Sequence, residues 1–221
     1  MTRRLPDAFL MLLFVVISVC AQTPQATPKP TEPETTKPAQ KTRYDALLEK
    51  VKQKDASVNF TELRHAFYES ANYNPYAPMM SYRPLNAAIA QKNYEQALKI
   101  SEDVLAKNFV EINAHMAAQI AYQETGNAEK AEFHKFMVDG LLNSIKSSVD
   151  GKSKEKAFEV ISVSEEYGLI RSLGLRPIKQ ALLDDKGHHY DVITVIDPQT
   201  NQESQLFFNI DKPFKWQSRK P

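Results

Sequence analysis

Residues 92–108, "KNYEQALKISEDVLAKN", and residues 126–142, "GNAEKAEFHKFMVDGLL", align at a spacing of 34 positions. Asn93 falls on Asn127, Tyr94 on Ala128, Ala97 on Ala131 and Val104 on Val138. A period of this length suits a unit of two antiparallel helices. One such unit cannot bury its apolar face alone, so neighbouring units must share a core.

On these residues the stretch 84–145 resembles the tetratricopeptide repeat. Ala97 and Ala131 stand where that family places its small close-packing residue, and Tyr122 and Gly126 match the aromatic and the turn glycine of the second copy. The pattern also departs from the family. His115 takes the place of a bulky aromatic, Lys92 replaces the first turn glycine, and no proline closes the first copy. Two copies need caps to be stable, and the flanking segments are the candidates on either side.

Upstream, "RYDALLEKVKQKD" sets Tyr44, Leu47, Leu48 and Val51 on one helical stripe. In "VNFTELRHAFYES", Asn59 followed three residues later by Glu62 marks a helix start, with Phe60, Leu63 and Phe67 as its apolar side. His65 lies among charged neighbours and receives no role. The stretch "NYNPYAPMMSYRP" has three prolines and three tyrosines and reads as an ordered loop. Its rings, Tyr73, Tyr76 and Tyr82, either cover a core edge or line a binding surface.

The N-terminus carries an address. Arg3 and Arg4 precede an apolar run over residues 8–19, too short for the ~20 residues of a membrane span. Small residues follow, so residues 1–21 read as a signal peptide cleaved between Ala21 and Gln22. Cys20 opens a second reading as the acylated first residue of a lipoprotein, the one route to membrane contact. Both readings export the chain, to the periplasm or beyond the cell. Residues 22–41 follow as a Pro/Thr-rich linker, too poor in apolar side chains to fold. In extended form its Gln22-to-Gln40 stretch spans about 60 Å. Without Arg3, Arg4 and Asp7 the formal charge falls from +1 to zero, which removes the electrostatic case for nucleic acid. Loss of Cys20 leaves no cysteine for disulfides, thiol catalysis or zinc.

Downstream of the helical region, 42–148, residues 149–216 change character. "FEVISV" is β-like, "SEEYGLIRSLGL" reads as a short helix capped by Ser164, and "PIKQALL" suits a strand or a helical turn. "HYDVITVI" and "SQLFFNI" form a hairpin across "DPQTNQE", where Pro198 suits a first corner and Asn201 tolerates positive φ. Val192, Thr194 and Ile196 share one strand face, as do Leu206, Phe208 and Ile210.

The chemistry-bearing candidates are histidines and acids. His188, His189 and Asp191 form the alternative metal or hydrolytic centre, but strand alternation aims His189 and Asp191 one way and His188 the other. A third ligand would come from Glu165 or Glu166. His115 and His134 sit on successive helices and make two ligands at most. Glu165–Glu166 and Asp184–Asp185 read as solvated charge because each pair is adjacent in sequence. No phosphate-cradling glycine loop and no G-x-S-x-G elbow occurs. No catalytic residue and no cofactor is assigned.

The stretches "YDALLEKVKQKDASVNFTELR", "NAHMAAQIAYQETGNAEKAEFHKF", "DGKSKEKAFEVISVSEEYGLIRSLGL" and "GHHYDVITVIDPQTNQESQLFFNID" together resemble a bacterial domain-of-unknown-function family, number 4919, over residues 44–216. The resemblance implies an exported protein whose helical and β parts form one unit, and it transfers no catalytic residues. The expectation is an α+β fold in which tetratricopeptide-like antiparallel helices pack with a small antiparallel sheet. The expected function is a non-enzymatic envelope scaffold that binds a protein or peptide.

Overall fold

The computed structural model describes residues 42–147 and 149–217. The expected signal peptide, Cys20, the Ala21–Gln22 cleavage point and the linker to residue 41 lie outside the described residues.

Three helical hairpins come first. Helix α1 spans Arg43–Lys52 and α2 spans Phe60–Tyr68. Thr42 and Asp45 close a capping box on α1, and the Asn59 side chain accepts from Glu62 N at the start of α2. Then come α3, Met79–Ala90, α4, Tyr94–Leu105, α5, Ile112–Glu124, and α6, Ala128–Lys146. The internal echo is the same turn built twice. Asn93 and Asn127 each cap the next helix through their side-chain oxygen. Before them, Lys92 at φ +56° and Gly126 at φ +79° take the left-handed conformation that ends the previous helix.

Helix α3 starts inside the stretch expected to be a loop. Pro84 lies within it, and the carbonyl left without an i+4 donor belongs to the exposed Met80. Small residues draw α3, α4 and α5 together: Ala88, Ala97, Ala117 and Ala121 form a tight cluster with Leu85. The first hairpin does not lead this stack from the front. Helix α2 packs on α6, where Gly140 leaves room for the Phe60 ring. A Cβ at position 140 would stand 2.3 Å from that ring.

The C-terminal part holds a 3-10 turn, Lys154–Lys156, strand β1, Phe158–Glu159, helix α7, Val163–Ser172, strands β2, Arg176–Asp185, β3, His188–Ile196, and β4, Glu203–Asn209, and helix α8, Asp211–Gln217. The sheet order is β1-β4-β3-β2. It is mixed rather than antiparallel throughout, because β1 runs parallel to β4. "FEVISV" yields only a two-residue strand, since Ser162 rather than Ser164 caps α7 and Val163 is already helical. "PIKQALL" is strand, joined to β3 by a two-residue turn with Lys186 and Gly187 at positive φ. Asn201 also takes positive φ, as its turn requires.

Register decides which face is inside. Ile193 pairs with Leu206 and Asp191 with Phe208, so Asp191, Ile193 and Val195 share the core face with Leu206 and Phe208. Val192, Thr194 and Ile196 take the other, half-exposed face. One hydrophobic core then runs from Leu47 and Val51 through Met137 and Leu141 to Leu169, Ile193 and Phe208.

Candidate functional site

Helix α7 hangs from the helical layer by two buried carboxylates. Glu165 takes a two-pronged ion pair from Arg64 of α2, with Nε and Nη2 each 2.7 Å from a carboxylate oxygen. The pair is almost fully buried, and Arg64 also donates to the Glu159 carbonyl at 2.9 Å. Glu111, at the start of α5, accepts the Ser164 hydroxyl at 2.5 Å and the Asn113 side chain at 3.1 Å. Asn113 in turn donates to the Ser164 carbonyl at 3.1 Å. Burial raises the Glu111 pKa, and the Ser164 and Asn113 donors hold that rise back. The Glu165–Glu166 pair is therefore not solvated charge. The first turn of α7 lies against α2, α5 and the sheet.

A third carboxyl, Glu166, faces the sheet. It is 0% exposed, and neither of its oxygens has a hydrogen-bond donor among the described residues. Burial first, then the charge of Asp191, push its pKa well above the usual carboxylate range. Asp191, 7% exposed, is also raised by burial, against the pull of the Gln180 amide and of Glu166. Two like charges side by side disfavour ionising together, so the raised Glu166 pKa favours its protonated form, which can donate to Asp191.

Asp191 forms the floor of a cleft of about 510 Å³. Its walls include Tyr76, Met79, Tyr82 and Tyr167, with Arg83 at the α3 side. Tyr167 donates to Gln180 Oε1 at 2.9 Å, and Gln180 Nε2 donates to Asp191 Oδ2 at 2.7 Å. This chain fixes the carboxylate's orientation. Arg171 lies over one face of the Tyr82 ring, bonds its hydroxyl and reaches Asn86 Oδ1 at 3.0 Å. Burial raises the Tyr76 and Tyr167 pKa values, and the neighbouring acids add to both shifts. Tyr76 also rests against Trp216 of α8, with ring centroids 5.8 Å apart.

The expected residues are distributed differently from the sequence reading. Tyr73 is not an exposed ring: it is 6% exposed, and its hydroxyl donates to the Ile161 carbonyl at 2.6 Å. Tyr76 and Tyr82 do line the cleft. His188 and His189 do not meet Asp191. Both turn to Asp211 at the start of α8, with His188 Nδ1 at 2.7 Å from Oδ2 and His189 Nδ1 at 3.3 Å from Oδ1. The His189 ring stacks on Phe214 at 3.6 Å. One carboxylate at the end of β3 thus takes both rings and the His189 N–H. Among the described residues no group of three or more His, Cys, Asp or Glu could hold a metal ion. His65 Nε2 lies 2.8 Å from Glu159 Oε1.

His115 and His134 do meet, Nδ1 to Nδ1 at 2.8 Å. His115 Nε2 faces the Phe109 carbonyl at 2.9 Å, so that nitrogen carries the hydrogen and Nδ1 accepts from His134. Burial holds both rings below the usual histidine range, His115 at about 3 and His134 at about 4. Neither is charged at neutral pH. A second cavity, about 550 Å³, opens beside His134. Its rings already have internal cations: Lys130 lies 4.9 Å above Tyr122, and Lys52 lies 5.4 Å above Phe109.

Sequence reasoning missed Arg64, Glu111 and Gln180 altogether. No local signal marks them, because every partner that gives them meaning comes from a distant element. For Glu166 the available signal was proximity by type to Asp191, and the structure does bring those two together.

The domain of unknown function DUF4919 matches residues 33–219. The chain belongs to this family. No curated protein and no solved structure matches it.

Proposed function

We propose that this DUF4919 protein is an exported, non-enzymatic binding protein of the cell envelope, and that it holds a peptide segment of a partner protein in the cleft over Asp191. The observation that carries the reading is the cleft itself, about 510 Å³ with mostly apolar and aromatic walls and a fixed carboxylate at its base. Concave sites with aromatic and methionine walls and a few placed polar groups are the common form of a side-chain-binding pocket. Helices and strands supply most of the wall, so little ordering is needed when a segment enters. Export rests on Arg3, Arg4, the apolar run over residues 8–19 and the small residues ending at Ala21, and the Pro/Thr-rich stretch would serve as a tether.

Selection of a displayed random-peptide library on the mature protein tests the binding reading. Enriched peptides should lose binding to Tyr82→Ala while its melting temperature stays near that of the parent. Equal retention by Tyr76→Ala and Tyr82→Ala would move the site elsewhere. The mass of the chain from its own cells tests export: a start at Gln22 or an acylated Cys20 fits, and an intact Met1 does not.

A further inference from the structure

We propose that the cleft takes a lysine side chain, its ammonium seated on Asp191 among the tyrosine rings, and that its arrival expels the proton shared by Glu166 and Asp191. This rests on the reading of the cleft as a peptide site and goes on to name the group it reads.

The first observation is an unfilled demand. Glu166 is 0% exposed with two oxygens that no donor reaches among the described residues, and it lies against the one acid at the cleft floor. An unpaired buried carboxyl is costly, and holding a proton only lessens that cost. A single positive charge beside Asp191 would let both acids ionise. The protein does not seat one there. Arg64 is committed to Glu165, and Arg171 to Tyr82 and Asn86.

The second observation is the shape and lining of the space. Tyr76, Tyr82 and Tyr167 line the space beside an acceptor; Arg171 already covers one face of Tyr82, which leaves Tyr76 and Tyr167 to attract an alkylammonium through ring faces together with the carboxylate. Met79 at the wall suits the apolar stem of lysine. The other titratable groups facing the pair are known. They are Tyr76 from the segment before α3, Tyr82 and Arg83 from α3, and Glu165 and Tyr167 from α7. Glu165 is neutralised by Arg64, and β2 contributes the neutral Gln180. Arg83 is the internal competitor, exposed and without an ion pair among the described residues. Its position at the wall also gives a peptide's own acidic neighbour somewhere to bind.

The one bond that breaks is the Glu166 O–H, whose electron pair stays on the carboxylate oxygen. The Glu166 O–H proton goes to bulk water, and the lysine ammonium takes its place as counter-charge to two carboxylates.

The test uses the mature protein and three capped tripeptides, acetyl-Gly-Xaa-Gly-amide with Xaa lysine, norleucine or glutamate. Titrations are run at pH 6 and pH 8 in phosphate and Tris, together with free n-butylammonium. The lysine peptide should bind at least tenfold more tightly than the norleucine peptide. Its affinity should rise with pH, and its heat should differ between buffers by the enthalpy of a released proton. Asp191→Asn should abolish the preference with the melting temperature retained. Glu166→Gln should keep the preference and lose the proton release. Butylammonium binding as well as the lysine peptide would overturn the peptide side chain in favour of a free amine. Equal binding of norleucine and lysine would overturn the cation while leaving the peptide reading standing. No binding by any peptide, with none enriched from the library, would overturn both.

Discussion

Two pairs of like ionisable groups lie inside this protein, and they are finished in different ways. His115 and His134 close on each other between α5 and α6, and the outer His115 nitrogen bonds the Phe109 carbonyl. That pair becomes neutral by shedding protons. Glu166 and Asp191 close on each other between α7 and β3 and lessen their repulsion by keeping one. The histidines add to the packing of a helical hairpin, and the rings beside them already have lysines above them. The acids have only each other: no donor from another described residue reaches the Glu166 oxygens, and Asp191 lines an aromatic cleft. A saturated pair is a packing device. An unsaturated one beside a cavity is where we propose that a ligand binds.

An opposite-charge pair, Arg64 with Glu165, anchors α7, and its removal should have the largest effect. Arg64→Met should cost about 3–5 kcal/mol in urea denaturation, because Glu165 would remain buried without its partner. A cost below 1 kcal/mol would mean that α7 is held by the core alone, and the acid pair would then lose its fixed frame. The two like pairs should next show opposite pH slopes. Glu166 has a raised folded pKa, so its contribution is complete below the unfolded glutamate value and is lost as pH rises toward the folded one. Above the unfolded glutamate value, Glu166→Gln should flatten the fall in stability with rising pH relative to the parent, read from urea denaturation across the pH series.

His115 has a lowered folded pKa, so its contribution is complete above about pH 6.5 and fades as pH falls toward about 3. From pH 7 to 5 the parent should lose about 1–2 kcal/mol that His115→Phe does not lose, read from the same denaturation series. A parallel slope in both variants would place the titration elsewhere. The smallest effect concerns the repeated turn. Lys92→Gly relieves a left-handed lysine where the second copy already has glycine, and should raise stability by about 1 kcal/mol. Gly126→Ala should move it the other way.

Much of the helical layer was legible because its determinants are local. Asn93 and Asn127 cap helices three residues ahead of them, and Asn59 does the same for α2. The β2–β3 and β3–β4 turns were also written within a few residues, in Lys186–Gly187 and in Pro198 to Asn201. The start of α3 was not legible, because its prolines and tyrosines suit a loop equally well until tertiary contacts choose. The site was legible only in fragments. Tyr76 and Tyr82 stood out as rings, but Tyr73 has the same composition around it and is buried against Ile161. His188 and His189 attracted notice by type, yet the acid that claims them is Asp211, 23 and 22 positions away.

The sequence by itself determined the start of α2, the 34-residue echo, the β3–β4 turn and the α+β class, since each depends on residues close together in the chain. It also carried the family membership, which covers residues 33–219. Only the tertiary structure decided that Glu165 and Glu166, neighbours of the same type, have unlike fates. One meets Arg64 from α2 and the other meets Asp191 from β3. The phase of β3 puts Asp191 on the core face opposite Phe208, and the packing of α7 brings Glu166 to it. Burial is a property of the whole fold, and burial is what raises the pKa of these two otherwise ordinary carboxylates beside a cleft.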